Sequence, residues 1–184
     1  MITVVLPLLL CCASVKNPES IQYKNIKSSA EGPHTDTILI AGRGEMPSRL
    51  FLDKLSDALS AQLKMKKVFC QYSYLGADAK ELYAKLETLV QTTHCNVLLL
   101  INETNSPSVQ THSQDYQLGG GLRARENVLR YYQSFTIFAM LPSKCQDTLW
   151  ESELQVSIDF RKDIYYETIA ASIIKTMQES KMVF

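Results

Sequence analysis

The sequence predicts an α/β (α+β) domain with a mixed sheet of about five strands, in the order β-α-β-α-β-β-β-α. Five consecutive apolar residues at 97–101 lie between polar residues, which is typical of a strand buried on both faces of a sheet. Two segments with helical spacing of apolar residues precede this run, and two strand-like segments follow it. The run therefore predicts the central strand.

Two strand-and-helix units form the first half of the predicted domain. Residues 37–41 are a short β-type run that ends at glycine. The helix that follows has apolar residues at every fourth position, and Ser48 is placed to cap its first turn. Residues 68–74 alternate like a strand, and Asp78 with Glu81 predicts a capping box before the second helix.

An antiparallel hairpin and a closing helix form the second half. Residues 131–141 resume as a strand, and residues 148–160 alternate between apolar and polar, which indicates one face on the core and one in water. Asp163 is placed to cap a final helix. Residues 104–127 are polar and contain glycine, and we expect a long loop there.

The N-terminus indicates export. Residues 1–10 are apolar but too short to span a bilayer as a helix, and cysteine and small residues follow, as in a signal peptide and its processing site. The stretch Leu-Leu-Cys-Cys-Ala-Ser resembles a bacterial lipobox. A small residue usually precedes the lipidated cysteine, which favours Cys12 over Cys11. Simple secretion with cleavage near residue 13 or 14, or a retained first strand at 2–10, are the alternatives.

Three regions follow from these patterns. Residues 1–12 are the signal peptide with its lipobox-like end, and the polar composition of 13–36 predicts a flexible tether. Residues 37–184 form a single α/β domain that contains the long loop.

The charge balance argues against binding to nucleic acid or to an anionic membrane through net charge. Nineteen basic and nineteen acidic residues cancel, so the chain shows no footprint for nucleic acid or for an anionic membrane. We expect no nucleic-acid partner, and contact with a membrane through the lipid anchor only.

Motifs for catalysis, metals and cofactors are missing from the sequence. Gly42-Arg43-Gly44 follows a strand, but neither a dinucleotide fingerprint nor a Walker pattern continues from it, so we expect a plain strand-to-helix turn. No spacing of cysteine and histidine is typical of zinc, and no carboxylate pair is typical of acid–base catalysis. The prediction is no catalytic residue, no metal and no cofactor. Of Cys70, Cys95 and Cys145, either two pair in an oxidising periplasm or all stay free.

A glycine-rich stretch is a candidate anion-binding loop. Gly119, Gly120 and Gly121 could surround an anion with backbone N–H groups, with Arg123 and Arg125 beside them. A flexible loop tip with solvated charges is the alternative.

Aromatic residues of the last hairpin are a candidate partner surface. Tyr131, Tyr132, Phe138 and Trp150 supply the aromatic area that protein interfaces use. The alternative is that helices cover both faces of the strand at 131–141.

The element order behind a lipobox-like start resembles the periplasmic α/β domains of the TolB N-terminal type. Similar domains occur in the curli secretion lipoprotein and in the lipoprotein activators of penicillin-binding proteins. The segments that carry the resemblance are 37–41, 51–63, 68–74, 96–103, the hairpin ending at Phe160 and the helix at 164–177. The resemblance implies a binding or assembly module of the envelope, with no catalytic residues to transfer. An envelope protein or a peptidoglycan-associated assembly would be its partner.

We therefore expect an exported, lipid-anchored, non-catalytic binding or assembly module of the bacterial cell envelope. Its place would be the periplasmic side of the outer membrane, or the soluble periplasm as the alternative. Two other functions stay open: a small-molecule binder or hydrolase that uses the loop at 104–127 as a lid, and a cytosolic structural domain. A deep cleft with converging polar groups at the C-terminal ends of the parallel strands would favour the binder or hydrolase.

Overall fold

The structure is a computed structural model that describes residues 20–28, 34–78, 80, 82–117, 123–142 and 148–182. These residues form one seven-stranded mixed sheet and three helices, which confirms the predicted α/β (α+β) class with two more strands than expected. In chain order the elements are β1 (Ser20–Ser28), β2 (Thr37–Arg43), α1 (Met46–Met65), β3 (Phe69–Gly76), α2 (Leu82–Thr93), β4 (Val97–Glu103), β5 (Ser108–Gln117), β6 (Arg123–Met140), β7 (Thr148–Ile158) and α3 (Asp163–Glu179).

The sheet has a parallel and an antiparallel part that meet at β4. Its strand order is β1-β7-β6-β4-β2-β3, with β5 paired to β6. β2 runs parallel to both β3 and β4, whereas β4, β5 and β7 each run antiparallel to β6. The apolar run of β4 is buried along its whole length, which confirms the prediction of a central strand.

β1 corrects the prediction of a tether over residues 13–36. It pairs antiparallel with β7, and Ile21 and Tyr23 pack against the core while Gln22 and Lys24 are exposed. This alternation is the strand pattern, but the surrounding polar residues masked it. The sheet of the folded domain therefore includes β1 and does not begin at residue 37.

β5 and the start of β6 correct the prediction of a loop over residues 104–127. The two strands form a hairpin whose register runs from Ser108 opposite Tyr132 to Gln117 opposite Arg123. Val109, Thr111 and Ser113 are exposed, so this hairpin lacks the alternation of apolar residues that marks a half-buried strand. Backbone pairing forms the hairpin without that signal.

The helices lie on both faces of the sheet but cover them unequally. α1 and α3 pack on one face over the larger core, which includes Leu52, Trp150 and Ile169. α2 packs on the other face over the parallel strands, where Leu86 meets Leu98 and their neighbours in a smaller core. The described helices leave that second face of β1 and β7 uncovered, and we call it the open face.

Two predicted helix caps are wrong by a few residues. α1 begins after Glu45, so Ser48 lies inside its first turn, where its N–H donates to the Glu45 carbonyl at 2.9 Å. Asp163 is the first residue of α3 and makes no capping bond; it accepts a hydrogen bond from Lys54 at 2.7 Å instead. At the start of α2, Asp78 accepts a hydrogen bond from the Lys80 N–H at 2.8 Å. Its predicted partner Glu81 lies outside the described residues.

Candidate functional site

The parallel strands create a crevice at the usual ligand position of an α/β sheet. β3 and β4 flank β2 on opposite sides, and the helices that connect them lie on opposite faces. The connections that leave the C-terminal ends of β2 and β3 therefore run to opposite faces of the sheet, and open α/β sheets bind ligands at such strand ends. We call this cavity of about 220 Å³ the strand-end crevice; Arg43, Glu45, Ala77, Asn102 and Glu103 are among its lining residues.

Arg43 is held inside the strand-end crevice by the chain itself. One guanidinium nitrogen donates to the Asn102 side-chain oxygen at 2.7 Å, and another donates to the Ala77 carbonyl at 3.2 Å. Arg43 and Asn102 are paired residues of β2 and β4, so sheet register brings the two side chains together. Two of the donors that an anion would need are already in use, and the buried Nε of Arg43 has no partner.

Glu103 occupies the N-terminus of α1. The Glu45 N–H donates to one carboxylate oxygen of Glu103, and the Gln133 side-chain amide donates to the other at 2.9 Å. A helix N-terminus favours negative charge, so this carboxylate takes the place where an external phosphate would bind. The predicted strand-to-helix turn therefore lies against an internal anion.

Gly44 permits this close approach. A Cβ on residue 44 would lie 3.1 Å from the Cβ of Glu103 and nearer still to the carboxylate. The Tyr74 hydroxyl donates to the Gly44 carbonyl at 2.7 Å. Burial, followed by the charge of Glu103, raises the pKa of Tyr74, so the hydroxyl keeps its proton and its role as donor.

A second cavity lies on the open face, between β1, β5, β6 and β7. This cavity of about 530 Å³, which we call the sheet groove, is lined mainly by uncharged polar side chains: Ser20, Gln22, Tyr132, Ser134, Gln155 and Ser157 are examples. Arg130 also lines it and is only 4% exposed. Its buried Nε has no hydrogen-bond partner. The sheet groove thus contains a buried cation whose Nε makes no hydrogen bond within the chain.

The sequence analysis missed Arg130. A cation between Leu129 and Tyr131 in a strand was the available signal, because charged residues are rarely buried unless they are paired. The sequence did not show that β1 pairs with β7 and that β5 pairs with β6. These two pairings supply two walls of the sheet groove.

The candidate anion-binding loop lies largely outside the described residues, which exclude Gly119, Gly120 and Gly121. Arg123 and Arg125 begin β6, where their backbones pair with Gln117 and Asp115. This loop stays a prediction.

The predicted aromatic surface is wrong for two of its four residues. Trp150 is fully buried and stacks on Tyr23 with ring centroids 6.2 Å apart, and Tyr131 is buried and stacks on Phe51 at 5.4 Å. Strand alternation turns both rings toward α1 and α3. Tyr132 and Phe138 are half-buried on the opposite side, where Tyr132 lines the sheet groove and Phe138 packs on the smaller core.

The described cysteines are both free. Cys95 is buried, and burial raises the pKa of the Cys70 thiol to about 11, which keeps it protonated at neutral pH. Cys11, Cys12 and Cys145 lie outside the described residues. Within the described ranges, no group of three or more histidine, cysteine, aspartate or glutamate side chains could hold a metal ion. No helix in the described part of the chain is long and apolar enough to cross a membrane.

Comparison with known proteins gives no family. No family model matches the chain, and no curated protein matches it. Among solved structures, the PelC dodecamer from Paraburkholderia phytofirmans has a TM-score of 0.47 and 9% identity, covering 90% of this chain and all of that one. A PelC variant from the same organism has a TM-score of 0.48 at 9% identity, covering 85% and 96%.

A putative neuraminyllactose-binding hemagglutinin homolog from Helicobacter pylori has a TM-score of 0.42 and 14% identity, covering 85% of this chain and 95% of that one. The resemblance to domains of the TolB N-terminal type stays a prediction beside these distant likenesses. The fold and the two cavities described above define the class: an α+β domain with an internally bonded strand-end crevice and a polar groove on its open face.

Proposed function

We propose that this chain is an exported, lipid-anchored, non-catalytic binding or assembly module of the bacterial cell envelope. The observation that carries the proposal is the contrast between its two cavities. Arg43 and Glu103 make bonds within the chain at the strand-end crevice, whereas the sheet groove contains the buried Arg130, which forms no ion pair with another described residue. Binding on the open face is the function that this geometry supports best.

The alternative function, a small-molecule binder or hydrolase, requires residues 104–127 to act as a lid. Residues 108–117 and the start of β6 form a paired hairpin, so they do not supply the flexible loop that a lid over the strand-end crevice would require. A partner on the open face needs no such closure. We infer that the partner is an envelope protein or a peptidoglycan-associated assembly.

The revised N-terminal boundary affects how the anchor would hold the domain. Seven residues separate Cys12 from Ser20, the first residue of β1. A chain of seven residues reaches no more than about 25 Å when fully extended. Since Ser20 also lines the sheet groove, an acylated Cys12 would keep this cavity close to the membrane surface.

Intact mass spectrometry of the chain expressed from its own start in a Gram-negative host tests the anchor. We expect a mature protein that begins at Cys12 and carries acyl mass. Cys12→Ala should abolish the acylation, while the matched variant Cys11→Ala should retain it. A chain that keeps residues 1–10 without modification would refute export and anchoring.

A further inference from the structure

Arg130 is a buried charge in the sheet groove. Arg130 is only 4% exposed, and its Nε has no hydrogen-bond partner. None of the ion pairs between described residues includes it. Buried polar groups are nearly always bonded, and an unpaired buried charge is costly. Six other described polar atoms are also buried without a partner, but of those residues only Arg43 is charged, and it makes two other hydrogen bonds. Arg130 is therefore the strongest candidate for contact with a ligand.

The buried carboxylate of Asp159 lies opposite Arg130 but is bonded to another residue. Tyr131 of β6 pairs with Ile158 of β7, so the next positions along the register are Arg130 and Asp159. Asp159 accepts hydrogen bonds from the Arg161 side chain at 2.8 and 2.7 Å. That bidentate pairing holds the pKa of Asp159 below its usual range and leaves Arg130 to the sheet groove.

The chemistry of the sheet groove indicates the kind of ligand. Among the described lining residues Arg130 is the one cation, and around it stand hydroxyls and amides, among them Ser157, Gln155 and Gln22, with the ring of Tyr132 beside them. A guanidinium binds a carboxylate through two parallel hydrogen bonds. Hydroxyl and amide groups suit a ligand that carries several hydroxyls of its own.

We propose that the sheet groove binds an acidic saccharide, with the sugar carboxylate on Arg130 and the sugar hydroxyls on the polar lining. This assignment deepens the proposed binding function and rests on it. One fixed positive charge matches a carboxylate better than a phosphate dianion, which proteins usually bind with several cationic or backbone donors. A cavity of about 530 Å³ is large enough for a monosaccharide unit.

A titration of the full-length protein with glucuronate, followed by protein NMR, tests the site. Glucose is the matched probe because it has the same ring without the carboxylate. We expect saturable shifts that include Tyr132 and Gln155, and a dissociation constant for glucuronate at least about tenfold lower than for glucose. Equal responses to both sugars, or no response to either, would overturn the assignment.

Two variants separate Arg130 from general surface charge. Arg130→Gln should raise the dissociation constant for glucuronate at least about tenfold. Arg49→Gln, which removes a half-exposed arginine of α1, should leave it unchanged. If Arg130→Gln fails to fold, Gln155→Ala at an exposed position should still weaken the binding of both sugars. Unchanged binding in Arg130→Gln, or in Gln155→Ala as its substitute, would overturn the proposal.

Competition identifies other ligand classes. Inorganic phosphate that displaces glucuronate at lower concentration would assign the sheet groove to a phosphate-bearing ligand and overturn the carboxylate. A tripeptide with a free C-terminus that displaces it more strongly would assign the site to a peptide. The mass measurement on Cys12 is separate from these results, so failure of the anchor and failure of the saccharide site are distinguishable.

Discussion

The strand-end crevice and the sheet groove each contain an arginine, and the two arginines differ in what surrounds them. Both arginines have a buried Nε without a partner, but Arg43 also donates to Asn102 and to the Ala77 carbonyl, whereas the side chain of Arg130 makes no hydrogen bond with another described residue. The crevice has the position at which α/β sheets commonly bind ligands, yet the chain has used most of the Arg43 guanidinium internally. The comparison teaches that unsatisfied polar groups, more than position in the fold, indicate where this protein can bind.

Removing Glu103 should give the largest loss of stability. Glu103→Ala deletes the anion at the N-terminus of α1 and leaves the buried amide of Gln133 with one acceptor fewer. We expect the free energy of unfolding to fall by about 2–4 kcal/mol, measured by urea denaturation. Gly44→Ala should act in the same direction, because its Cβ would displace the same carboxylate.

A carboxylate on the open face provides the control for Glu103. Glu153 lies on the open face of β7, where the described helices do not pack. Glu153→Ala should change the stability by no more than about 0.5 kcal/mol, as surface substitutions usually do. Equal losses for both variants would mean that the strand-end crevice is not specially stabilised by its internal anion.

Replacing each arginine by methionine should change the free energy of unfolding in opposite directions. Arg43→Met leaves two acceptors without their donor and should lower the free energy of unfolding by about 1–3 kcal/mol. Arg130→Met removes an unpaired buried charge and should raise it by about 1–3 kcal/mol when no ligand is bound. Urea denaturation of both variants in buffer without carboxylates measures the difference. A loss of stability in Arg130→Met would show that the chain itself stabilises this cation.

The ion pair between Asp159 and Arg161 provides a third arginine for the comparison, one that is bonded to a buried carboxylate. Arg161 holds the buried Asp159 carboxylate, so Asp159→Asn should lower the free energy of unfolding by about 1–2 kcal/mol at neutral pH. The pKa of Asp159 is lowered in the folded state, so its contribution is present above the ordinary aspartate pKa of about 3.9 and is lost as the pH falls through the folded value.

The pH dependence gives the readout for Asp159. The wild type and Asp159→Asn should differ in stability at pH 7, and the difference should shrink as the pH falls below the ordinary aspartate pKa. Denaturation curves at several pH values measure this convergence. A constant difference down to the lowest pH would mean that the carboxylate charge is not the source of the stabilisation.

Periodicity alone determined much of the architecture. The apolar run of β4 has no polar position to place in water, so it had to be covered on all sides, and its five-residue length favoured a strand over a buried helix. The alternation of β7 likewise separates its buried residues from Gln155 and its polar neighbours. The helix predicted at 164–177 forms as α3, and its apolar residues at helical spacing, Ile169, Ile173 and Met177, are buried in the core. These features depend on near neighbours in the chain.

Only the tertiary structure decided the rest, because it depends on contacts between distant segments. β1 becomes a strand by pairing with β7, more than 120 residues later, and that pairing builds one wall of the sheet groove. Alternation shows that Tyr131 and Trp150 each share a face with the residues two positions away in their strand, but the position of α1 and α3 determines that this face is buried. The internal anion Glu103 and the unpaired cation Arg130 are equally ordinary in sequence. Sheet register alone gives one a set of partners and leaves the other facing an open groove.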